Sequence, residues 1–348
     1  MTEQAVGPFG AFMSRTRAEV DAWLAPWLRA RVEEATGRGA AACAVAVGSS
    51  DLVLRGGKRA RPALLAAAFE ACGGTGGGSA VAAAGGALEL FQGYLLTHDD
   101  WMDGDDLRRG GPSVPALMRE RFGKGGDAMS ILAGDLLSAW SQRALLELDL
   151  PAPQVLGAAR ELSRAHEDVV HGQVLDVHGG AREPADVYLV HALKTASYTV
   201  RAPVVMGARL AGASEAQVAA LTAFAEPLGV AFQLRDDVLG TFGDPAAMGK
   251  PARGDLRAGK QTALIVHALA EPRAARVLRE VLGRAEASDE DVAAAVRAVD
   301  DSGARRAVES AIDARVRQAR GALERAQVDQ AGLALLQGAI VALTERDR

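Results

Sequence analysis

Apolar residues recur at helical spacing along most of the chain. Met13, Val20, Trp23, Leu24, Trp27, Leu28 and Val32 fall three and four apart, which predicts a helix over 12–36. An Ala/Leu run from Pro62 to Ala71 predicts another, with proline at a first helical position, where its missing N–H costs nothing. Gly73–Gly78 reads as a loop. A long apolar helix is predicted from about Ser79 to about Asp103, broken over 104–113 by glycines and Pro112. Gly123–Gly126 marks a further loop. Helical patterns follow at 127–148, 154–177, 186–210 and 215–242. Gly243–Gly259 reads as an exposed loop, and three or four amphipathic helices fill 261–346. No fixed-period repeat or low-complexity linker divides the chain. The pattern predicts a single all-α domain over residues 1–348, a bundle of ten or more helices around a central elongated cavity.

Composition sharpens this reading. Of 348 residues, 49% are hydrophobic and only 4% aromatic, which excludes a disordered chain and favours helices over sheets. The net charge of −5 disfavours a nucleic-acid binder that relies on a broad basic surface. Cys43 and Cys72 are too few for a disulfide framework, so a reducing cytoplasm is expected. No signal peptide and no membrane span is expected from the charge and glycine pattern.

Three clusters carry candidate chemistry. Asp99-Asp100-Trp101-Met102-Asp103 closes the long apolar helix. Asp99 and Asp103 share one face, where like charges repel, so a cation between them would relieve the strain. Hard oxygen ligands suit Mg²⁺; a solvated helix end is the plainer alternative. Arg108 and Arg109 follow at once, and their planar forks match phosphate oxygens. The second cluster, Gln233-Leu234-Arg235-Asp236-Asp237, lies in an apolar helix, where an ion pair with a nearby arginine is the alternative. The loop behind it offers Lys250, Arg253, Arg257 and Lys260 as a phosphate clamp. The third, Gly56-Gly57-Lys58-Arg59-Ala60-Arg61-Pro62, joins backbone-permissive glycines to cations at a helix start.

Together these segments resemble the trans-isoprenyl diphosphate synthases, the polyprenyl synthetase family. The family's GGKxxRP-like segment, its DDxxD motif followed by RRG, and its FQxxDD motif match Gly56–Pro62, Asp99–Asp103 with Arg108-Arg109-Gly110, and Phe232–Asp237. Gly172-Gln173 with Asp176, Lys194-Thr195 and Gly249-Lys250-Pro251 extend the match. The resemblance implies that Asp99 and Asp103 bind two Mg²⁺ ions. It implies that Asp236 holds a third, with Asp100 and Asp237 assisting. Arg108, Lys194 and Lys250 would contact the allylic diphosphate, with Lys260 helping. Lys58, Arg61 and Arg109 would bind isopentenyl diphosphate, while Thr195 and Gln233 orient the site. A homodimer is also implied.

Two positions depart from the family. Gln92 stands where a histidine is usual; it can donate to a phosphate but carries no charge. Gly240 replaces the last aspartate of the second motif, leaving Asp236 and Asp237 as its acids. Product length rests on residues before Asp99. Tyr94 lies roughly 7.5 Å below the metal site along the helix axis. In the family the growing chain descends this helix, and Tyr94 with Leu95 would form its floor; simple packing between helices is the alternative. The pattern resembles short-chain synthases of the geranylgeranyl (C20) type. Farnesyl or longer-chain synthesis, a class I terpene cyclase and a regulatory synthase subunit remain the alternatives.

Overall fold

The computed structural model describes residues 7–75, 77–179, 183–243 and 254–345. Of the described residues, 81% are helical. The helices are α1 (Pro8–Thr36), α2 (Ala40–Leu54), α3 (Ala60–Ala71), α4 (Gly78–Asp103), α5 (Val114–Phe122), α6 (Gly126–Leu146), α7 (Ala152–His178), α8 (Pro184–Val190), α9 (Ala202–Leu210), α10 (Glu215–Phe242), α11 (Gly254–Arg257), α12 (Ala263–Leu269), α13 (Pro272–Arg279), α14 (Asp289–Asp301), α15 (Ala304–Glu324) and α16 (Gln330–Thr344). A π-helical segment, His191–Arg201, joins α8 to α9. Two short strands, β1 (Leu107–Arg108) and β2 (Gly111–Pro112), pair antiparallel after α4. Among the described residues no helix is long and apolar enough to cross a membrane.

The long central helices match their predicted spans closely. Several features differ, among them the π winding of His191–Arg201 inside the helix predicted over 186–210. Periodicity does not predict α2, because its Ala/Val-rich sequence shows little contrast between faces. Residues after 261 form five helices rather than three or four. Part of the expected loop before Gly259 is the short helix α11.

The chain folds as two compact units. The first holds residues 1–161, 203–214 and 328–336. Its axis is α4, whose small residues admit close neighbours. A side chain on Gly86 would strike Trp23 of α1, and one on Gly93 would press Val53 of α2. Leu88, Leu90 and Phe91 of α4 are buried, and Ser141 of α6 donates to the Ala87 carbonyl at 2.7 Å. This packing makes the acidic end of α4 a rigid platform. The second unit holds residues 162–202, 215–327 and 337–348. There Gly229 of α10 lies where a Cβ would come 2.5 Å from Ala196, so α10 and the π segment pack tightly. Val230, Ala231, Leu234 and Val238 bury the inner face of α10 in an apolar core with Leu256, Leu264 and Ile312.

Candidate functional site

The first unit presents the acidic end of α4. Asp99 is half-buried and Asp103 exposed, one turn apart on the same face. Asp100 points elsewhere: its side chain is fully buried, and Oδ1 accepts from Arg108 Nε at 2.7 Å and from Arg108 Nη2. Arg108 Nη2 also donates to Asp105 Oδ2 at 3.0 Å. Burial pushes the Asp100 carboxyl above its ordinary value, and the Arg108 guanidinium pulls it back. Burial works against the charge of Arg108 too, but Asp100 holds its pKa above the usual arginine value. The pair is therefore a buried, hydrogen-bonded bridge in which Arg108 stays cationic.

Local sequence explains the turn that delivers Arg108. Gly104 takes a left-handed conformation, φ 72°, and ends α4; the Asp105 N–H then bonds the Asp100 carbonyl at 2.9 Å. The β1–β2 hairpin is tied down by Arg55, which donates to the carbonyls of Arg108 at 3.0 Å and Pro112 at 2.7 Å. Gly111 leaves room for that arginine, since a Cβ there would come within 2.7 Å of it.

The cationic loop before α3 is organised by a residue to which the motif assigns no role. Arg59 is left-handed, φ 53°, and 3% exposed. Its guanidinium binds Glu89, donates from Nε to Asp21 Oδ1 at 2.9 Å, and donates from Nη2 to the Val53 carbonyl at 2.9 Å. A buried arginine needs such partners. With Arg59 fixed inward, Lys58 stands exposed and Arg61 half-buried on either side of it. Arg109, also left-handed at φ 52°, donates from Nη2 to Gln92 Oε1 at 3.0 Å and from Nη1 to the Leu52 carbonyl at 3.3 Å. Burial lowers the Arg109 pKa while Glu89, 4.0 Å away, opposes the shift. Gln92 thus meets Arg109 through its oxygen, an arrangement the sequence expectation of a phosphate donor does not include. Farther along α4, Tyr94 is 8% exposed, with its ring 5.6 Å from Phe91 and 4.9 Å from His98, centroid to centroid. Leu95 is half-buried beside it.

The second unit holds the other group. Lys194 and Thr195 are half-buried in the π segment, whose widened winding is shown by the Ala202 N–H bonding the Ser197 carbonyl. Lys194 Nζ pairs with Asp176 Oδ2 at 2.6 Å. Gly172 lets α7 approach, since a Cβ there would sit 2.4 Å from the Lys194 nitrogen. On α10, Gln233 Nε2 donates to Asp237 Oδ1 at 3.0 Å, and His191 Nε2 lies 3.3 Å from Asp237 Oδ2. His191 is 8% exposed, and burial lowers its pKa to about 4, so the imidazole is neutral. Asp237 is buried and Asp236 half-buried. Lys260 is exposed. Lys250 lies outside the described residues. Sequence reading misses His191 and the buried Arg201, which pairs with Asp168 at 2.5 Å; neither stands in a recognisable motif.

Among the described residues no three or more His, Cys, Asp or Glu side chains converge as a ready-made metal cage. Two carboxylates on one helix face still fit Mg²⁺, which completes its shell with waters and substrate phosphates. The donor set is oxygen only, and cationic arginines stand within the same unit.

An almost wholly helical protein with an acidic helix end flanked by anchored arginines has the layout of an enzyme that handles diphosphates. The polyprenyl synthetase family profile matches residues 46–299, and the chain belongs to that family as a trans-prenyltransferase. It is 36% identical over 254 residues to a short chain isoprenyl diphosphate synthase of Methanocaldococcus jannaschii, covering 71% of this chain and 74% of that one. It is 37% identical over 259 residues to a (2E,6E)-farnesyl diphosphate synthase of Mycobacterium bovis, covering 72% and 68%. A solved geranylgeranyl pyrophosphate synthase from Corynebacterium glutamicum, complexed with isoprenyl diphosphate and magnesium, superposes with a TM-score of 0.86 at 32% identity, covering 96% of this chain and 98% of that one. The all-α fold is that of the isoprenoid synthases.

Proposed function

We propose that this prenyltransferase condenses isopentenyl diphosphate with allylic diphosphates and releases geranylgeranyl diphosphate. The carrying observation is Tyr94, buried in α4 five residues before Asp99, with its ring held between Phe91 and His98. A bulky ring at that depth is a floor for a short chain. Likeness to the Corynebacterium geranylgeranyl synthase supports the reading. Likeness to a farnesyl synthase supports the runner-up, a C15 product. Both compact units are proposed to work as one polyprenyl synthetase-like domain, as a homodimer in the cytoplasm.

In this reading Asp99 and Asp103 would hold two Mg²⁺ ions and Asp236 a third, with Asp237 supporting it. When bound, Mg²⁺ neutralises charge that develops on the diphosphate as the allylic C–O bond ionises. Arg108, Lys194 and Lys250 would grip that same diphosphate, and Lys260 would assist. Asp100, engaged by Arg108 inside the fold, contributes by fixing the arginine. Lys58, Arg61 and Arg109 would bind isopentenyl diphosphate, with Gln92 steadying Arg109. Thr195 and Gln233 orient the site through their dipoles. Preorganised cations stabilise the leaving charge at no reorganisation cost. Apolar walls keep water from the allylic cation until the double bond of isopentenyl diphosphate attacks it. Among the described residues no side chain stands as an evident base, so the departing diphosphate takes the proton.

Incubation with Mg²⁺, isopentenyl diphosphate and each allylic primer tests the proposal through product length. A main C20 product is expected; C15 would establish the runner-up, and C35–C50 would overturn the short-chain reading. No consumption of isopentenyl diphosphate would favour a cyclase, and activity only with a partner chain would indicate a regulatory subunit. Asp99→Ala should abolish turnover with the fold intact; near wild-type activity would refute its metal role.

A further inference from the structure

We propose that His98 is a positioning residue for product length, acting as a bracket that holds the Tyr94 ring against α4. The inference rests on the reading of Tyr94 as the floor. Tyr94 and His98 sit one turn apart on α4, and their rings meet edge to face, 4.9 Å between centroids at 73°. The imidazole is itself fixed from the other side. Its Nε2 lies 3.0 Å from the Ile131 carbonyl of α6. A carbonyl only accepts, so Nε2 carries the proton and donates. The Asp135 carboxylate lies 3.8 Å from the same nitrogen.

The neighbouring glycine makes this placement possible. A Cβ on Gly134 would come 2.3 Å from both Cδ2 and Nε2 of His98. The imidazole therefore rests directly on the α6 backbone and cannot recede from Tyr94. Phe91 closes the opposite side, 5.6 Å from the tyrosine ring. Tyr94 is confined between two rings, one about a turn before it and one a turn after it on its own helix. An unbracketed aromatic ring hops between rotamers, whereas a confined one presents a fixed stop. His98 stands next to Asp99, so the motif explains the acid and leaves the histidine without a role.

Product spectra of Tyr94→Ala, His98→Ala, the double variant and Gly134→Ala test this. Tyr94→Ala should lengthen the main product. His98→Ala should raise the fraction of longer products at least fivefold. The double variant should add nothing beyond Tyr94→Ala, because the bracket acts only through the ring. Longer products from Tyr94→Ala with an unchanged spectrum for His98→Ala would overturn the inference and leave the floor intact. An unchanged spectrum for Tyr94→Ala would overturn the floor itself. Additive lengthening in the double variant would mean that His98 acts independently, which also overturns the inference. Should His98→Ala fail to fold, Gly134→Ala decides: it displaces the imidazole from Ile131 and should shift the spectrum, and an unaltered product length would refute the bracket. A merely structural histidine would change stability or rate and leave the length distribution in place.

Discussion

Asp100→Asn separates two roles for the second aspartate of the first motif. The native carboxylate is fully buried and receives two donors from Arg108, whose side chain is 16% exposed. Removing one partner of a buried ion pair costs about 3–5 kcal/mol. Asparagine keeps an acceptor of the same shape, and Asp105 still holds Arg108 at 3.0 Å. The loss should therefore be smaller, about 2–3 kcal/mol. Over the 348 residues of this chain that corresponds to a fall in thermal midpoint of roughly 3–4 °C. Scanning calorimetry gives the midpoint, and titration calorimetry gives Mg²⁺ affinity in the presence of inorganic diphosphate. Mg²⁺ affinity should stay within about threefold of the wild-type value, since the Asp100 carboxylate is sealed in the fold against Arg108 and is not open to a metal. An unchanged midpoint together with a tenfold or larger loss of Mg²⁺ affinity would show that Asp100 is a direct ligand and would refute the argument.

Gly172→Ala should raise the KM for the allylic diphosphate at least fivefold, because the new Cβ would meet the Lys194 backbone at 2.4 Å and no rotamer relieves a backbone clash; unchanged kinetics would refute the close approach. His191 makes stability depend on acid. Its pKa is about 4 in the fold against an ordinary 6.5, so as pH falls below 6.5 the unfolded chain takes up a proton before the folded one. Stability present above pH 6.5 is then lost progressively towards pH 4, by up to about 3 kcal/mol. In EDTA-treated protein, His191→Gln should flatten that limb of the midpoint-against-pH curve, and a curve parallel to wild type would exclude His191 as its source.

The helical plan is legible where amphipathic contrast is strong. Predicted and observed bounds of α4, α7 and α10 agree closely, because long runs of apolar residues at helical spacing permit few other structures. The break after Asp103 is legible because glycine tolerates the left-handed turn that ends α4. The π winding around Lys194 is not, because one extra residue per turn leaves no mark in composition. Nor is α2, whose faces are too alike for periodicity to reveal a direction of burial.

The candidate site divides the same way. By itself the amino-acid sequence determined which residues bring charge, and that Asp99 and Asp103 share a face, because helix geometry alone sets a four-residue spacing. Only the tertiary structure decided what each charge does. Asp100 and Asp99 are neighbours, yet one is sealed under Arg108 and the other is only half-buried. Arg59 and Lys58 are neighbours too, yet Arg59 turns inward because Asp21 and Glu89 await it from α1 and α4. His191 lies in no motif and acquires its place only beside Asp237. The cost of burying a charge or an imidazole depends on partners tens of residues away along the chain. Local pattern therefore names the chemical groups, and long-range packing decides which are bound within the protein and which remain open to substrate.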